Sequence, residues 1–276
     1  MNSFQLLFCS NGKIENVQQL LQNSNINTNY QDEYGQTPFY IACRNGHIDV
    51  VKLLLNDERV EINKVEKWGE LTPFFITCYH GHCEVTKLLL DDERINVNQS
   101  SGRLETPFYT SCFYGRIGIV KLLLNDQRVD VNQVNYDEET PFSIACENGQ
   151  IEVVKLLLVS ERIVIDLSKE NKYGRTPIDI AREGGEEEQQ NWESDQEFQK
   201  RRRNHEEIVE LLESFENEPN ETRFKLQVQL GLIGKITFLF LLLRLLLIFF
   251  FFLISRYLCS FSLHNNCSPF RWILRF

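Results

Sequence analysis

The chain has 276 residues, enough for one substantial core or for a stack of small units, and a formal net charge of −10. Residues 224–276 hold no Asp or Glu and six of the 29 Lys and Arg, so residues 1–223 carry 23 minus 39, a net charge of −16. A module this acidic repels nucleic-acid phosphates, which excludes DNA or RNA as the main partner and favours a neutral or basic protein.

In chain order, residues 1–12 lack the basic start and long apolar core of a secretory leader, so a reducing compartment is expected for the eight cysteines. Residues 1–34 read as a capping unit in which Gly12, Leu20 and Leu21 fit the pattern that follows. From residue 35 that pattern is a repeat. Thr-Pro recurs at Thr37-Pro38, Thr72-Pro73, Thr106-Pro107, Thr140-Pro141 and Thr176-Pro177, followed nine residues after each Thr by Gly46, Gly81, Gly115, Gly149 and Gly185. Cys43, Cys78, Cys112 and Cys146 recur 35, 34 and 34 residues apart, so each is read as a free, buried thiol in one equivalent apolar slot. A Leu-rich run follows each of the first four glycines, at 53–55, 88–90, 122–124 and 156–158.

Each element has a physical role. Thr37 caps a helix whose first position is Pro38, where a missing N–H costs nothing. Phe39, Ala42 and Cys43 share one side of that helix, and Gly46 allows the turn that ends it. Ile48, Val51, Leu54 and Leu55 form a second apolar stripe, while Asp49 and Lys52 face water. Two helices this short bury their apolar faces only by stacking on neighbouring pairs, so a solenoid is expected.

The segment TPFYIACRNGHIDVVKLLL (37–55) resembles the ankyrin consensus, and the resemblance extends over about residues 3–215. It implies an all-α ankyrin-repeat solenoid of helix-turn-helix units with β-hairpin-like finger loops. The expected organisation is a cap at 1–34, four repeats at 35–173, and a last repeat at 174–215 with a charged insertion at 186–203. A linker at 216–235, an apolar helix at 236–254 and a short tail at 255–276 follow. Departures are Tyr40, Phe75, Tyr109, Ser143 and Asp179 in place of the consensus His, and a longer loop after the leucines. Arg59, Arg94, Arg128 and Arg162 recur in that loop and are read as serving helix ends.

The insertion reads as a solvated, partly helical loop, with Lys200 to Arg203 as a basic run of the kind that also serves as an import or docking signal. From Ile236 to Ile254, Arg244 is the only charge in 19 residues, about 28 Å as a helix. Placing Arg244 at the bilayer centre costs about 2.5–3.5 kcal/mol against roughly 5–10 returned by seventeen apolar residues. A tail anchor that leaves the repeats in the cytoplasm is the expectation. The alternatives are a regulatory segment that oligomerises through Arg244, or a misread coding sequence after a soluble ankyrin protein.

No catalytic site, metal site or cofactor is expected. His47, His82 and His205 fit the repeat, and the Cys78, His80, His82 and Cys83 grouping is explained by repeat positions on a helix end, where the ligands diverge. The resemblance implies a contact surface on the finger loops and on the pairs before each helix-ending glycine. Those pairs are Arg44-Asn45, Tyr79-His80, Phe113-Tyr114 and Glu147-Asn148, with Trp68 on a finger nearby. The expected function is a non-catalytic scaffold or adaptor that binds a protein through this concave face, with an aromatic centre of the kind found at hot spots.

Overall fold

The computed structural model describes residues 2–189 and 193–232. Thirteen helices are found among them: α1 (Asn2–Ser10), α2 (Ile14–Leu21), α3 (Pro38–Arg44), α4 (Ile48–Leu55), α5 (Pro73–His80), α6 (Cys83–Leu90), α7 (Pro107–Phe113), α8 (Ile117–Asn125), α9 (Pro141–Glu147), α10 (Ile151–Val159), α11 (Pro177–Glu186), α12 (Asp195–Asn217) and α13 (Pro219–Gln229). No strand is present among the described residues. Residues 1–223 and 224–276 separate into two compact units, and of the second only 224–232 are described.

Odd-numbered helices from α1 to α11 stack in one row and even-numbered helices from α2 to α12 in a second, each helix touching its neighbours along the row. The start of each repeat follows from its Thr-Pro. The hydroxyl oxygens of Thr37, Thr72, Thr106, Thr140 and Thr176 accept from the backbone N–H three residues on, at 3.0–3.3 Å, with proline in the first turn. Phe39, Phe74 and Phe108 are fully enclosed between the rows, and Cys43, Cys78, Cys112 and Cys146 are buried free thiols.

Three ladders of polar side chains tie one repeat to the next. In the first, His47, His82, Arg116, Gln150 and His205 donate to the backbone carbonyls of Ser10, Arg44, Tyr79, Phe113 and Glu147 at 2.8–3.1 Å. The acceptors are carbonyls, so Nε2 is the donor in each histidine rung. These are the carbonyls that a helix end leaves orphaned. The bonds require each side chain to lie flat on the preceding turn. Gly46 meets that need twice, with φ at +71° and a Cβ position that the His82 ring would contest.

In the second ladder Arg59, Arg94, Arg128 and Arg162 donate to the carbonyls of Leu21, Leu55, Leu90 and Leu124, at 2.6–2.9 Å. The guanidiniums of the first three are held by Asp57, Asp92 and Asp126 at 2.6 Å. In the third, Asn29, Asn63, Asn98 and Asn132 each donate to the carbonyl of the next repeat's arginine and accept a backbone N–H two residues beyond it, at 2.7–2.9 Å.

The C-terminal region departs from the sequence expectation in two places. Gly185 does not end its helix: α11 runs on to Glu186, because His205, which packs against Gly184 and Gly185, arrives twenty residues later and no tight reversal is needed. The insertion is partly helical, as read from the sequence, since Ser194 and Glu197 form a capping box that starts α12 at Asp195. Its basic run is not simply solvated. Arg201 donates to the Gly184 carbonyl at 2.8 Å and pairs with Glu193 at 3.1 Å, which gives α11 the end-cap that a further repeat would supply.

The segment expected as a linker, 216–235, contains α13. Thr222 donates to the Ser214 carbonyl at 3.1 Å, and Arg223 Nε donates to the Leu158 carbonyl at 3.0 Å. Leu158 continues the series Leu21, Leu55, Leu90 and Leu124, so Arg223 is the fifth rung of the arginine ladder. The expected apolar helix, with Ile236, Arg244 and Ile254, lies outside the described residues, as does the tail at 255–276. Among the described residues no helix is long and apolar enough to cross a membrane.

Candidate functional site

The finger before each Thr-Pro is a tight turn held by the side chain of its first residue. Asp32, Ser101, Asn135 and Asn171 each accept two backbone N–H groups from the turn they start. The 66–71 finger is one residue longer, and Glu66, one methylene longer than Asp32, accepts from the N–H groups of Trp68, Gly69 and Leu71. Neighbouring fingers join through single backbone bonds, Lys67 to Tyr34, Gly102 to Gly69, Tyr136 to Arg103 and Lys172 to Asp137, at 3.0–3.1 Å. They are hairpin-like turns without a ladder of strand pairing.

Trp68 stands on a finger tip, 80% exposed. Tyr34, Tyr136 and Tyr173 occupy neighbouring tips, at 51%, 66% and 60%. The sequence reading missed these three tyrosines; aligning the two positions after each turn-starting residue would have found them.

The eight residues expected before the helix-ending glycines all lie at the C-terminal ends of α3, α5, α7 and α9. The central four come together. Tyr79 and Tyr114 meet edge to face with centroids 4.6 Å apart, and the Tyr114 hydroxyl reaches that of Tyr79 at 3.4 Å. Phe113 lies 4.6 Å from Tyr114, and His80 4.9 Å from Tyr79. Burial, followed by the bond to Tyr79, pushes the Tyr114 phenol up to about 12.

The outer pairs divide. The Asn45 amide is committed to Ser10 of the preceding unit and the Asn148 amide to the Ile144 carbonyl. Arg44, which donates to Gln36, and Glu147 keep half-exposed charged ends.

A second polar group lies under the fingers. The Tyr109 hydroxyl, in the slot of the consensus His, donates to buried Glu139 at 3.0 Å and accepts from Asn135 at 2.9 Å. Burial first, then the charge of Glu139, raises the Tyr109 phenol far above the usual tyrosine range. The remaining partners of Glu139 are scaffold amides, Asn135 donating at 3.1 Å and Asn171 at 3.3 Å. A cleft of about 280 Å³ opens near Phe142, Val164, Lys169 and Arg175, where the loop before the last finger is two residues longer than its predecessor.

Cys78 is buried, Cys83 is exposed on the other side of the turn, and His82 is committed to the Arg44 carbonyl. Among the described residues no group of three or more His, Cys, Asp or Glu is placed to hold a metal ion.

Two family profiles match this architecture. One, described as ankyrin repeats (many copies), covers residues 20–76; the other, ankyrin repeats (3 copies), covers 58–135 and again 112–189. Together they span more than half of the chain. The chain belongs to the ankyrin-repeat family. It matches no curated protein. Ankyrin repeats act as protein-interaction scaffolds, and the family is generally non-enzymatic. Within this ankyrin array the side chains of the helix-end aromatics and the finger-tip rings take no part in the inter-repeat ladders.

Proposed function

We propose that this ankyrin protein is a non-catalytic adaptor that holds a protein partner across the C-terminal ends of α3, α5, α7 and α9, the concave face of the family, with the finger tips along one border. The observation that carries this is the Tyr79, Phe113 and Tyr114 cluster: the Tyr114 ring touches those of both Tyr79 and Phe113 and is still 38% exposed, at the centre of the row. Rigid aromatic groups in such a position supply large contact area at low entropic cost, the pattern of binding hot spots. In the same reading, residues 236–254 tether the repeats on the cytoplasmic side of a membrane. Support for the tether is the sequence alone, 19 residues with one charge.

Partner capture tests the adaptor reading. Alanine at Tyr79, Phe113 and Tyr114 together with Trp68→Ala is expected to abolish capture, whereas deletion of 233–276 leaves it intact. The reverse result would move the function to the C-terminal segment. Carbonate extraction of the full chain tests the tether: a protein released into the soluble fraction ends that part of the proposal.

A further inference from the structure

The proposed binding face is not electrically uniform. Near α3 and α5 it is cationic: the half-exposed Arg44 donates to the neutral side-chain amide of Gln36 at 3.1 Å, and the Arg116 guanidinium lies 5.8 Å over the Tyr114 ring. Burial first, with these arginines among its neighbours, holds His80 below the ordinary imidazole range. Near α9 and α11 the sign reverses. One guanidinium, that of Arg175, lies 3.0 Å from Glu183, 3.7 Å from Glu147 and 3.8 Å from Glu139, so three carboxylates share one cation. Burial and the neighbouring carboxylates push Glu147 above the usual range, and Arg175 draws it only partly back. Tyr79 and Tyr114 lie between the two ends.

Resting on the adaptor reading, we infer that the occupant of this face is an extended segment of a partner protein with opposite charges at its two ends. A carboxylate lies toward Arg44 and Arg116, an apolar residue lies over Tyr79 and Tyr114, and a lysine or arginine lies toward Glu147 and Glu183. A uniformly basic segment would set cations against Arg44 and Arg116, and a uniformly acidic one would set carboxylates against three others; like charges brought together disfavour both. From α3 to α9 are three helix-to-helix steps of about 8–10 Å, so the segment spans roughly seven to nine extended residues.

The chain itself already holds a cation in the way expected at the acidic end. On the fingers, Lys172 Nζ lies 4.2 Å over the Tyr136 ring and 2.6 Å from Asp137.

The test is selection of a displayed library of random twelve-residue peptides on the purified full chain in mild detergent. It is followed by affinity measurements with Arg44→Glu, Glu147→Lys and the Tyr79→Ala, Tyr114→Ala pair, each checked by circular dichroism. Enriched peptides are expected to carry Asp or Glu and Lys or Arg on opposite sides of an apolar centre. Each charge variant is expected to weaken them about tenfold, and the double charge variant to select the reversed order. Peptides without separated charges, or peptides that both charge variants leave within about twofold while the alanine pair abolishes binding, overturn this inference and leave the adaptor reading standing. No enrichment, or enrichment indifferent to all of these variants, overturns both.

Discussion

Replacing Arg223 with Ala tests whether α13 closes the solenoid. The substitution removes the Nε–H bond to the Leu158 carbonyl and the guanidinium that lies 5.3 Å over the Phe215 ring. A hydrogen bond to a charged group contributes about 1.5–3 kcal/mol when buried; Arg223 is half-buried and water can reach the freed carbonyl, so about 1–2 kcal/mol is expected. For a domain of this size that lowers Tm by roughly 2–8 °C. Repeats in a solenoid contact only their neighbours, so the loss is concentrated at the C-terminal end. Thermal melts of the full chain by circular dichroism give the size, and native-state hydrogen exchange gives the location: amides of α10 and α12 lose protection, those of α3 to α6 do not. Arg223→Lys, which keeps a cation near the helix end, falls between. A Tm within about 1 °C of the parent chain, or protection lost evenly along all repeats, would refute the assignment of Arg223 as a rung.

Asn98→Ala removes both the bond to the Arg128 carbonyl and the acceptor for Asp130 N–H; urea denaturation is expected to show a loss of about 1–3 kcal/mol, and an unchanged midpoint would count against the asparagine ladder. The hydrogen bond from Arg128 holds the Asp126 carboxyl below its ordinary value of 3.8, so this pair adds stability above that pH and loses it as pH falls through the lowered folded value. Asp126→Asn is therefore expected to be less stable at pH 7 by up to about 1 kcal/mol, with the gap closing in acid melts below pH 3.8; a gap independent of pH contradicts the linkage. Burial pushes the Cys9 and Cys78 thiols up to about 12 and those of Cys43, Cys112 and Cys146 higher still, while Cys83 is exposed. Among these six, maleimide at pH 8 is expected to label Cys83 first by peptide mass spectrometry; labelling of a slot cysteine at the same rate would mean that the repeats open readily.

Features written in one period were legible in the sequence. Thr72, Pro73 and Gly81 each act within a few residues of themselves, and Cys78 or Arg94 recur at the same step, so pattern and chemistry agree without knowledge of the fold. Features joined across repeats were not. Arg223 meets its acceptor 65 residues away, beyond an insertion that interrupts the count, and nothing local marks it as a rung. Arg201 stood in a run of four basic residues, where composition pointed to a solvated face; only the geometry of α11 sets it against the Gly184 carbonyl. The start of α12 was legible, since Ser194 and Glu197 have capping-box spacing, but the acidic run before them suggested a loop. The aromatic centre was read from the pairs before the glycines, whereas the finger-tip tyrosines were hidden by turns that differ by one residue in length.

The charge of the array follows from how its cations are used. Arg59, Arg94, Arg128, Arg162, Arg201 and Arg223 all donate into backbone carbonyls at helix or loop ends, where positive charge is favoured by the helix dipole. Carboxylates such as Glu147 and Glu183 have no equivalent scaffold role and share the single guanidinium of Arg175. The net −16 of residues 1–223 is therefore not spread evenly over the surface: cations are anchored where repeats join, and carboxylates that share one cation gather at the α9 and α11 end of the proposed binding face. A partner that places a cation there relieves repulsion already present in the free protein. Such a gain is made without new apolar burial and weakens with added salt, while contact at the Tyr79 and Tyr114 centre is far less dependent on salt.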